Sequence, residues 1–226
     1  MAIDNGNGVT GPFGNASFYV RKKKKIIRAK PEHYSDANSP AQQFQRTKLK
    51  LTSRFVNSLK STIKTGYQAT DEDRYDNYSN EIRQNILKTC FVNVDDQPVL
   101  LYEKIKISRG DIKAPEDCTM QIAEIPDSKG MKMATITWKK PEESDVENKS
   151  DKVVIATFSD IGIYGESATH SNLAERKDGT VMIPITRSNA PVNIWMFFQN
   201  NDAATGESKL KISDSVYLGE VGPDNP

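Results

Sequence analysis

Asp178-Gly-Thr-Val-Met-Ile-Pro-Ile-Thr-Arg-Ser-Asn-Ala-Pro-Val-Asn-Ile-Trp-Met-Phe-Phe-Gln199 is the stretch whose reading decides the fold. Val181, Ile183 and Ile185 recur at every second position, the period of a half-buried β-strand. Val192 to Phe198 carry large apolar side chains at odd and even positions alike, which is the pattern of a central strand covered on both faces. Such a strand needs neighbours, and the flanking sequence from Leu100 to Val221 supplies them.

Working outward, period-two segments separated by turns bearing Pro, Asp and Gly predict strands over Val99–Ser108, Cys118–Ile125, Met131–Lys139, Lys152–Ser159, Gly179–Thr186, Val192–Gln199 and Ser208–Gly219. Trp138 is the expected inward residue of its strand, with Ala134 and Ile136 on the same face. Glu142–Asp151 reads as a charged loop, and Ile161–Lys177 as a longer excursion with a weak strand around Ile163-Tyr164. Strands of this number and spacing argue for an immunoglobulin-like or fibronectin type III-like antiparallel sandwich.

The N-terminal part has a different grammar. Residues 1–14 are rich in Gly and Asn and are expected to be extended or irregular. Gly6-Asn-Gly8-Val-Thr-Gly11 matches G-x-G-x-x-G but follows no strand and runs into Pro12, so it is not read as a dinucleotide site. Asn15 to Ala29 predicts a hairpin with a basic tip from Arg21 to Lys25. Ser39, Pro40 and Gln42 form an S-x-x-Q capping box with Pro at the first helical position. The helix is expected to reach Thr65, with Gly66 as its C′ residue. Phe44, Leu51, Phe55, Leu59 and Ile63 share one side of it, widened by Leu49 and Val56. A second helix from Thr70 has Asp71, Glu72 and Asp73 in its first turn, and Tyr75, Tyr78, Ile82, Ile86 and Cys90 on its buried side. The fold class is therefore α+β: a basic hairpin and two-helix region over residues 1–96, then a β-sandwich over 97–226.

Charge is unevenly distributed along the 226 residues. Thirteen Lys or Arg face two acids between Arg21 and Lys64, a net +11, whereas Thr65 to Pro226 carries −9. Lys22, Lys23, Lys24, Lys25 and Arg28 on the hairpin, with Arg46, Lys50, Arg54, Lys60 and Lys64 on the helix, form the candidate contact surface, for acidic faces of neighbouring proteins or for phosphates.

Catalytic chemistry is not legible. His33 and His170, both read as surface-loop residues, cannot complete a nucleophile–base grouping. Asp95-Asp96 and Glu142-Glu143 lie in turns without the apolar surroundings that raise a catalytic carboxyl. Acids at 71–73 lack the Gly and closing Glu of a calcium loop. Cys90 and Cys118 are too few for a disulfide framework or zinc site. No catalytic residue, metal ligand or cofactor is expected. No apolar run approaches the ~18 residues of a membrane helix, and the N-terminus shows no secretory signal. Synthesis and retention in the cytoplasm are expected, with no membrane partner.

Gly11-Pro-Phe-Gly, Ile26-Ile-Arg-Ala-Lys-Pro31, Ser39-Pro-Ala-Gln-Gln-Phe-Gln-Arg46, Lys106-Ile-Ser-Arg-Gly-Asp111, Asp151-Lys-Val-Val154 and Ser213-Asp-Ser-Val-Tyr-Leu-Gly219 together resemble an uncharacterised family of Bacteroidota, catalogued as a domain of unknown function. The resemblance spans nearly the whole chain and implies a bacterial or bacteriophage origin, with no activity to carry over. The expected function is a non-enzymatic structural protein that self-assembles or decorates a larger particle, such as a virion, tail or fibre. The alternative is a cytoplasmic nucleic-acid-binding protein that uses the basic hairpin and helix. A third expectation is an accessory module that binds carbohydrate or protein through sandwich loops.

Overall fold

The computed structural model describes residues 3–4, 9–21, 24–29, 36–68, 78–126, 131–142, 149–185, 190–201 and 210–222. The chain divides into two compact units, residues 1–42 and 43–226. Among the described residues it is built mostly of antiparallel β-sheet with three α-helices.

In the first unit, β1 (Ile3–Asp4), β2 (Val9–Phe13), β3 (Ala16–Arg21) and β4 (Lys24–Ala29) make a four-stranded antiparallel sheet in chain order. The expected hairpin is its β3–β4 edge, and the segment expected to be extended or irregular supplies the two strands β1 and β2. Helix α1 (Pro40–Ser58) opens with the capping box: Gln42 N–H donates to Ser39 Oγ at 3.3 Å, and Ser39 N–H to Gln42 Oε1 at 3.2 Å.

In the second unit the helical hydrogen bonding runs from α1 through Leu59 into α2 (Lys60–Gln68). Gly66 is therefore inside a helix and not its cap. Its role is close approach, since a Cβ there would stand 2.5 Å from the Ile107 carbonyl oxygen. Leu49 is half exposed, because burial on α1 begins only at Thr52. Helix α3 (Tyr78–Thr89) buries Ile82 and Ile86; its expected start, with Thr70 and Tyr75, lies outside the described residues.

After α3 come β5 (Phe91–Val94) and β6 (Gln97–Leu100), joined by Asp95 and Asp96, both at positive φ. That is the two-residue hairpin geometry that matches strand twist. The expected strand over Val99–Ser108 ends at Leu100, where a 3-10 turn (Tyr102–Lys104) takes over. Next are β7 (Thr119–Glu124), β8 (Lys132–Thr137), β9 (Lys152–Ser159), β10 (Glu166–Glu175), β11 (Thr180–Ile185), β12 (Val192–Asn201), β13 (Leu210–Ile212) and β14 (Val216–Val221). One sheet has the order β10-β9-β12-β13 with β14 also on β12; a second has the order β11-β8-β7.

Strands β9 and β12 carry two cores. Val154, Ala156 and Phe158 with Trp195 and Phe197 pack with Phe55, Leu59, Ile63, Ile82 and Ile86 of the helices. Val153 and Ile155 with Ile194, Met196 and Phe198 pack with Ala134 and Ile136 of β8, Trp138 just after it, and Val181, Ile183 and Ile185 of β11. The helices thus share a core with the large sheet, so the expected boundary at 96/97 runs through packed side chains. No helix among the described residues is long and apolar enough to cross a membrane.

Candidate contact surface

Antiparallel register assigns faces in the N-terminal sheet. Ala16 pairs with Ala29, Phe18 with Ile27 and Val20 with Lys25, which puts these residues on one side. Ser17 with Arg28 and Tyr19 with Ile26 stand on the other, together with Lys24. One face is thus mainly apolar and the other is basic around Tyr19. No residue whose side chain is described in this unit is buried; Ile27 is 66% exposed, and Tyr19 and Val20 are both 41% exposed. Lys24, Lys25 and Arg28 are exposed on β4, but the pleat turns Lys25 away from the other two. Lys22 and Lys23 lie outside the described residues.

On the helices, Arg46, Lys50 and Lys60 are exposed and Lys64 is half-buried. Arg54 does not belong to a free basic face. Its guanidinium pairs with Asp160 at 2.8 Å and donates to the Gly162 carbonyl, which ties α1 to the turn between β9 and β10. Asp160 is 106 residues away in sequence, so helical spacing alone could not reveal this.

That turn carries the most exposed large apolar side chains described, Ile163 at 80% and Tyr164 at 81%. It is not the weak strand expected there. Gly162 and Gly165, at φ +63° and +74°, bracket the pair, and Gly165 N–H donates to the Ile161 carbonyl at 3.0 Å. The Gly-Ile-Tyr-Gly spelling was the available signal. His170 sits on β10 rather than in a loop, half-buried, and burial holds its pKa below the ordinary value.

The two motif segments Lys106–Asp111 and Ser213–Gly219 meet in space. Ser108 Oγ donates to the Ser213 carbonyl at 2.8 Å, Ile107 N–H to Ser215 Oγ at 2.9 Å, and Gly110 N–H to Asp214 Oδ1 at 3.2 Å. Lys106 Nζ reaches Asp214 Oδ2 at 2.6 Å. Beside this latch is a cleft of about 540 Å³ lined in part by Tyr67, Glu81, Lys88, Arg109 and Asp214. Its charges are largely matched, Lys106 to Asp214 and Arg109 to Glu81 at 3.7 Å. Cys90 is fully buried in the helical core and burial pushes its thiol pKa up, which suits packing and not nucleophilic attack. Among the described residues, no three His, Cys, Asp or Glu side chains are grouped as a metal site.

Among the described residues, a mostly antiparallel β architecture with three α-helices defines the class. The chain belongs to a Family of unknown function (DUF6266), which matches residues 9–219. No curated protein matches it. Among solved structures it is similar to the fn3 domain of the human collagen alpha-1(XX) chain, with 13% identity and a TM-score of 0.26, over 53% of this chain and 95% of that one.

Proposed function

We propose that the chain is a non-enzymatic structural component of a larger bacterial or bacteriophage particle, such as a virion, tail or fibre, made in the cytoplasm and acting by assembly. In this reading the β-rich part is an immunoglobulin- or fibronectin III-like sandwich. The observation that carries it is the N-terminal sheet. A sheet is stabilised by covering one face, yet no side chain described in this unit is buried, and Phe18, Val20 and Ile27 share an apolar face. A second copy or another particle protein supplies that cover. Light scattering after size exclusion tests the idea: a defined multimer, free of nucleic acid at low and high salt, that shifts toward monomer in a Val20→Ser/Ile27→Ser variant of unchanged melting temperature. A strictly monomeric protein with no affinity for any particle component overturns it.

The second reading, nucleic-acid binding, is favoured by one detail: Tyr19 shares its face with Lys24 and Arg28, an aromatic platform among cations that suits stacking on a single strand. Charge reversal at Lys24 and Arg28 then abolishes a strongly salt-dependent affinity for an oligonucleotide. Unchanged binding eliminates this surface.

A further inference from the structure

A crease of about 270 Å³ lies among Lys113, Glu116, Lys139, Lys140, Glu142 and Arg176, with Phe198 also on its wall. Its wall is unusually well fixed. Arg176 is 4% exposed, lies over the Phe198 ring at 4.1 Å, pairs with Asp151 Oδ2 at 2.9 Å and donates to the Lys113 carbonyl at 2.6 Å. Its own carbonyl accepts from Trp138 Nε1 at 2.8 Å, and its N–H donates to the Asp151 carbonyl at 2.8 Å. This guanidinium cannot swing away.

The charges above it are less completely matched. Asp151 offsets Arg176 from behind, and Glu116 pairs with Lys113 at 3.1 Å. Lys139 and Lys140 make no ion pair among the described residues, and Glu142 is the remaining acid on the wall. Their backbone is nonetheless anchored: Lys139 N–H donates to the Glu116 carbonyl at 2.9 Å, and the Lys140 stem lies against Gly179. Lys139 and Lys140 are both exposed on the rim of the crease, and with Lys113 and Arg176 they give its lining four cations against Glu116 and Glu142, a balance suited to a small, doubly charged anion. Ammonium groups serve phosphate as point charges, while Arg176 Nη2 is already committed to Asp151 and the Lys113 carbonyl, so the guanidinium acts as a fixed wall.

We infer that this crease is an anion site that takes a phosphate group, with Lys139 and Lys140 supplying the attraction and Arg176 the fixed wall. The site is separate from the N-terminal sheet and stands whether or not the assembly reading does. The volume admits free phosphate or a small phosphate monoester, and the two sources are told apart by using both as probes.

The test is thermal unfolding of the full chain in inorganic phosphate and in glycerol phosphate, each against sodium chloride of equal ionic strength. A ligand that binds only the folded state raises the melting temperature by mass action. The expected result is a rise of several degrees at about 20 mM phosphate, which falls to under ~1 °C in a Lys139→Ala/Lys140→Ala variant and persists in Lys104→Ala. A larger rise with glycerol phosphate assigns the site to esters, and an equal one to free phosphate. No phosphate-specific rise in the natural chain, or the same rise in the double variant, overturns the inference.

Discussion

Arg176 and Asp151 form an ion pair at 2.9 Å with side chains only 5% and 0% exposed, and Asn200 Nδ2 donates to the other Asp151 oxygen at 2.8 Å. Removing one partner of a buried pair strands the other charge, which costs about 3–5 kcal/mol. Arg176→Ala and Asp151→Ala should each lower the unfolding free energy from urea melts by that order. The double variant should cost much less than the sum of the two. Additive losses in a double-mutant cycle would mean the charges are not coupled.

Gly110 stands where no side chain fits. A Cβ there would be 1.9 Å from the Ile212 carbonyl oxygen, and that obstacle is backbone beside the Ile112–Ser213 bridge. Gly110→Ala should therefore cost about 3 kcal/mol or more, at the upper end of overpacking penalties. Gly222→Ala, with nothing within 4 Å, should leave stability unchanged. Denaturant melts of the two variants decide this, and equal midpoints would show the latch to be soft.

The same latch predicts a pH dependence. Burial pushes the Asp214 carboxyl up, but hydrogen bonds from Lys106 and the Gly110 N–H outweigh it, so the folded pKa lies below the ordinary value. The unfolded chain then binds the proton more readily. Asp214 contributes stability above the ordinary carboxylate range and loses it as pH falls through the depressed folded value. Asp214→Asn should be less stable than the natural chain at pH 7 and converge on it as pH falls through the depressed folded value. A constant difference between the two melting curves from pH 7 to 3 would remove Asp214 from the account.

Ile163 and Tyr164 are presented by a turn that Arg54 pins at Asp160 and Gly162. Rigid aromatic and aliphatic side chains of this kind are the common anchors of protein contacts. On the assembly reading, Ile163→Ser/Tyr164→Ser should weaken association about tenfold or more while the melting temperature changes by under ~2 °C. Arg54→Ala should weaken it less and broaden the amide signals of residues 160–165. If the double serine variant assembles as the natural chain does, the turn is not a contact.

What could be read from the sequence follows how strongly each element commits its side chains. Strand β12 was legible because both its faces are buried, and α1 because Ser39 and Gln42 spell its cap. Strand β8 was legible through Ala134, Ile136 and Trp138. Strand β10 was not, because Glu166 to Glu175 forms an edge whose side chains are mostly exposed and so need no apolar period. The Val99–Ser108 segment alternates like a strand, yet Ile105 and Ile107 lie outside the strands described and are buried in the core that the helices share with the large sheet. Basic residues were countable in advance, but their partners were not. Arg54 looked like Lys50 until Asp160 arrived from the far end of β9.

The position of β12 also sets the order in which the molecule can become stable during synthesis. Helices α1 to α3 leave the ribosome well before β12, and the Trp195 and Phe197 against which they pack are made more than a hundred residues after α3 ends. Through most of translation their apolar stripe has no permanent cover, and the β8 face is in the same condition. Closure of both cores then depends on one late strand, which makes folding dominated by long-range contacts and correspondingly slow. A ribosome stalled before Val192 holds a chain with two open hydrophobic faces, the kind of substrate that chaperones engage.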